Sequence, residues 1–64
     1  MLEFCKRVLA KVSFDRQLFA KELKKSTRWL NANELRALRD WCLGQYGGRY
    51  GDLINETFHP LALN

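Results

Sequence analysis

Residues 44–52 read GQYGGRYGD, and all four glycines of the chain fall within them. Whether this stretch is a loop that holds a phosphate or a nucleic-acid backbone, or simply the turn between two helices, decides the fold. Reversing a chain between helices needs one or two residues at positive φ, a conformation that costs a residue bearing a Cβ about 1 kcal/mol or more. Gly47 and Gly48 meet that need. The stretch is therefore expected to be a turn, with Tyr46 and Tyr50 packing inward on either side of it.

The segments on both sides support helices. Upstream, Asn31 followed by Glu34 in NANE fits a capping box, which satisfies two free N–H groups at the start of a helix. Leu35, Leu38, Trp41, Cys42 and Tyr46 then share a broad apolar arc, with Asn33, Arg36 and Asp40 facing away. Downstream, Tyr50, Leu53, Ile54, Thr57 and Phe58 align against Asp52, Asn55 and Glu56, and Pro60 follows the end. At the other end of the chain, Phe4, Cys5, Val8, Leu9 and Val12 form the apolar arc of LEFCKRVLAKV. Ser13 and Asp15 mark the start of the next helix, in which Phe19, Leu23 and Leu30 share one face with Ser26 between them.

The expected fold is all-α, one domain over residues 1–64 with four short helices at about 2–12, 14–30, 32–45 and 50–58. One core should hold Phe4, Val8, Val12, Phe19, Leu23, Leu30, Leu35, Leu38, Cys42, Leu53, Ile54 and Phe58. A chain of 64 residues removes only about 60% of its unfolded surface from water, so self-association is a natural supplement to its core. Nothing resembles a disulfide framework, a leader or a membrane-spanning run, and Cys5 and Cys42 lie on core arcs. A reduced, cytoplasmic setting is expected.

Charge is uneven. Residues 1–30 carry eight basic and three acidic side chains, whereas residues 31–64 carry three and four. Lys21, Lys24, Lys25 and Arg28 fall on one arc of the second helix, able to meet several phosphates along a backbone or to serve as a solvated face. Gly48-x-x-Gly51 within GRYGDLI resembles, over these few residues, the GxxG loop of KH domains. That resemblance implies a loop between two helices, with Gly48, Arg49 and Gly51 against a single-stranded nucleic acid.

Catalytic chemistry has little to rest on. His59 is the only histidine, no nucleophile has a recognisable base, and Cys5, Cys42 and His59 are spaced unlike any zinc motif. No enzyme activity, cofactor or metal is expected. Leu18 and Trp29 lie on the shoulder of one apolar arc and Trp41 on the edge of another, positions filled either by neighbouring helices or by a partner. The leading expectation is a non-catalytic protein-interaction or regulatory module using Leu18, Trp29 and Trp41, through a protein partner or self-association. The alternative is a nucleic-acid-binding module using Lys21, Lys24, Lys25, Arg28 and the Gly48–Gly51 loop with Arg49.

Overall fold

The computed structural model describes residues 1–61. Helix α1 spans Leu2–Lys11, α2 spans Arg16–Ser26 and α3 spans Ala32–Phe58, followed by a short 3-10 turn at His59–Leu61. The described residues are all-helical, with three helices where four were expected. The boundary that fails is the glycine stretch itself: α3 runs through residues 44–52.

No glycine has a positive φ, and a Cβ built at Gly47 or Gly48 would meet nothing within 4 Å. The pair therefore closes no helix. What the stretch does is bend one: Tyr50 alone departs from helical geometry within α3, at φ −124° and ψ 23°. A straight helix of 27 residues would be about 40 Å long, yet the longest dimension of the molecule is 27 Å. The bend must be sharp. Glycines before and after Tyr50 weaken the helix there without a side chain to resist bending. The apolar register explains why the helix survives them. Leu35, Leu38, Cys42, Tyr50, Leu53, Ile54 and Phe58 are all buried in one cluster, and each large side chain so buried is worth about 1.5–3 kcal/mol against about 1 kcal/mol lost per glycine.

The other boundaries follow side-chain chemistry. Asn31 Oδ1 accepts from the Glu34 amide at 2.9 Å, and Glu34 Oε1 accepts from the Asn31 amide at 3.1 Å, the capping box expected from the sequence. Helix α2 begins after Asp15 rather than after Ser13, because the Asp15 carboxylate accepts from the amides of Gln17 and Leu18. It ends at Ser26, four residues short of expectation. There the Ser26 hydroxyl donates to the Glu22 carbonyl and the Thr27 hydroxyl to the Lys24 carbonyl, and such back-bonding competes with helix continuation. The chain then turns so that Leu30 is buried.

Phe19 occupies the centre of the core. Its ring lies 5.2 Å from that of Tyr46 and 4.7 Å from that of Tyr50, and from α2 it is completely buried where α3 bends. The Tyr50 hydroxyl donates to the Ser13 carbonyl at 2.6 Å, and Arg16 pairs with Asp52 at 2.7 Å. These contacts fix the bend of α3 against the α1–α2 connection. Each partner favours the charged form of the other: Asp52 lowers no proton affinity of Arg16 but raises it, while Arg16 holds the Asp52 carboxyl below the usual range, chiefly through their hydrogen bond.

The expected core needs correction in α1. Phe4 is 62% exposed, and Val8 and Val12 are only half-buried. Cys5 and Leu9 are buried in their place. The apolar arc of α1 is wide enough to offer two adjacent stripes, Cys5–Leu9 and Phe4–Val8, and the core covers only the first.

Candidate functional site

The uncovered stripe lines an open cleft of about 370 Å³ between α1 and α2. Met1, Phe4, Cys5 and Val8 form the α1 wall, Glu22, Lys25 and Ser26 the α2 wall, and Trp29 closes one end from the turn after α2. Phe4 and Trp29 stand at its rim with 62% and 66% of their surface in contact with water. Periodicity places most of these residues: Met1, Phe4 and Val8 step by three and four at and along α1, and Glu22, Lys25 and Ser26 lie one turn apart on α2, while Trp29 is brought in by the turn that follows.

The polar groups of the walls are already engaged. Ser26 donates to the Glu22 carbonyl at 2.9 Å, and Lys25 lies 3.7 Å from the Glu22 carboxylate. Among the described residues no buried side-chain nitrogen or oxygen lacks a partner. The cleft therefore offers apolar surface and shape rather than convergent polar groups that would orient a small polar ligand. Cys5 reaches its floor but is itself buried, and both thiols are free. Burial pushes the Cys42 thiol up to about 12, with the Lys6 ammonium opposing weakly, so Cys42 is held as the inert thiol.

The residues singled out in the sequence are distributed over the molecule. Trp29 belongs to the cleft, whereas Leu18 is exposed but outside its lining. Trp41 is half-buried against the core, edge-on to Tyr46 at 5.6 Å and with the Lys6 ammonium 5.8 Å from its centre. Of the three, Trp29 alone lines the cleft. Met1, Phe4 and Val8 are the cleft residues that sequence reasoning missed, and the signal was present in the breadth of the α1 arc.

Lys21, Lys24 and Lys25 are exposed on α2, as their arc implied, whereas Arg28, expected on the same arc, is exposed in the turn after the helix ends at Ser26. Arg49 is elsewhere. Its guanidinium lies 5.1 Å from the centre of the Tyr50 ring, and the Tyr50 hydroxyl meets Ser13 ahead of α2. Arg16, also against that ring at 5.9 Å, marks the same end. Lys24 lies about 12 Å further along the helix axis, and Arg28 follows beyond its end. Gly48 and Gly51 are inside α3, so the loop that the GxxG resemblance requires is absent.

Among the described residues there is no group of three His, Cys, Asp or Glu side chains that could hold a metal ion, and no helix long and apolar enough to cross a membrane. No family model matches the chain, and no curated protein or solved structure matches it either.

Proposed function

We propose that this chain is a small, cytoplasmic, non-catalytic protein-interaction module whose working surface is the cleft between α1 and α2. The observation that supports this reading is the pair Phe4 and Trp29, two large rings left mostly in water at the rim of an apolar cleft. The core beneath is closed without them. Leaving such surface exposed favours association, since covering it releases about 25 cal/mol for each Å² of apolar area removed from water. Aromatic anchors seated in apolar clefts are also the side chains on which binding energy concentrates. A reducing compartment agrees with two buried, unlinked thiols.

The basic face of α2 keeps a polyanion reading in view, but Arg49 does not extend it and there is no glycine loop beside it. The deciding experiment compares proteins captured from the native host by the parent and by a Phe4→Ser/Trp29→Ser variant of unchanged melting temperature. A protein retained by the parent alone, and rebinding it in purified form, is the expected result. Identical capture by both would place any interaction away from the cleft.

A further inference from the structure

Taking that cleft as a protein-binding surface, the geometry points to an acidic amphipathic helix as its occupant. The argument starts from charge. On α1, Arg7 and Lys11 fall by helical stepping on the same arc as Phe4 and Val8. On α2, Lys21 stands one turn before Lys25 on the same stripe, and Arg28 follows in the turn after the helix, next to Trp29. The carboxylates on these walls are already committed: Glu3 pairs with Lys6 at 3.3 Å and Glu22 with Lys25 at 3.7 Å. Among the described residues no carboxylate lies within ion-pair distance of Arg7, Lys11, Lys21 or Arg28. Helical stepping thus puts cations without internal partners next to both walls, Arg7 and Lys11 beside the α1 stripe and Lys21 beside the α2 stripe.

Shape sets the form of the occupant. One wall runs from Glu22 along α2 into the turn at Trp29, and the α1 lining runs from Met1 to Val8, seven helical steps and so about 10 Å long. That is two helical turns, the span of anchors at positions i, i+3 or i+4, and i+7 of a guest helix. Helix α3 already packs against both α1 and α2, so a guest in this cleft would add a further helix-on-helix contact to the same two helices. Aspartate or glutamate beside the anchors would then face Arg7 and Lys11 on one rim and Lys21 and Arg28 on the other.

Three helical peptides of about 15 residues, sharing the same leucine anchors and differing only in carrying Glu, Gln or Lys between them, test this by fluorescence anisotropy with the full chain. The Glu peptide should bind at least about tenfold tighter than the Lys peptide, and the preference should shrink as ionic strength rises from about 0.05 to 0.3 M. Phe4→Ser should abolish binding of the Glu peptide. Arg7→Gln/Lys21→Gln/Arg28→Gln, at exposed positions, should remove the preference while leaving Gln-peptide binding unchanged. Equal affinities, or a preference for Lys, would overturn the acidic occupant yet keep the cleft as a protein site provided Phe4→Ser weakens all three alike. No binding of the Glu peptide overturns it outright. So does a Phe4-dependent dimer in sedimentation, which assigns the cleft to a second copy, or Phe4-dependent binding of phosphatidylglycerol vesicles or oligonucleotides in place of the peptide.

Discussion

Individual side chains divide sharply between those that hold the fold and those it leaves free. Leu38 is completely buried, so Leu38→Ala should cost about 2–5 kcal/mol in chemical denaturation, a large share of the stability of so small a domain. Phe4→Ser, at a residue mostly in water, should stay within about 0.5 kcal/mol of the parent. Helical spacing predicted both residues to be core, and it was right only for Leu38. Periodicity identifies an apolar arc but not which part of it neighbours cover, and α1 carries more apolar width than α2 and α3 fill. Cys42 gives a test in pH. Its folded-state thiol is held up at about 12 while the unfolded thiol ionises near about 8.5. The stabilisation is complete below the unfolded value and is lost as pH rises between the two, because the unfolded chain releases a proton that the native one keeps. Stability of the parent should therefore fall more steeply with alkaline pH than that of Cys42→Ala, by up to about 1.4 kcal/mol per pH unit, and Cys42 should resist thiol reagents until the chain unfolds.

At the level of the helices, capping was legible and termination was not. Asn31 and Glu34 announce the start of α3 through chemistry contained in four residues, and Asn31→Ala should cost about 1 kcal/mol in thermal melts. The glycines mislead because their low helix propensity is local, whereas the decision to continue α3 is made by Tyr50, Leu53, Ile54 and Phe58 finding the same core as Leu35 and Leu38. The steps of three and four from residue 35 to residue 58 run unbroken through the stretch, and that register was the better guide. A sign change follows for mutagenesis. A glycine that closed a helix would resist alanine, but Gly47 and Gly48 are inside α3 with open space around them, so Gly47→Ala and Gly48→Ala should each stabilise the protein by about 0.5–1 kcal/mol.

For the molecule as a whole, sequence conveyed the asymmetry of charge and the helical class, but the cleft depends on how α1 is rotated against α2, which no residue spacing fixes. Exposed Met1, Phe4 and Trp29 carry a cost in solution behaviour: Phe4→Ser/Trp29→Ser should delay the onset of light scattering on heating or concentration, with an unchanged circular dichroism spectrum. The bend at Tyr50 has its own consequence for motion. On its N-terminal side α3 is held by Leu38 and Cys42 in the core, and beyond it by Ile54 and Phe58, while Gly44, Gly47, Gly48 and Gly51 contribute no side-chain contact to the helix between. Amide hydrogens should then exchange with solvent in a pattern that the continuous backbone does not suggest, with two slow blocks separated by a fast interval around residues 47–51. The glycine amides there would open locally at a fraction of the free energy of global unfolding, while the Tyr50 side chain, held in the core, keeps the bend in place.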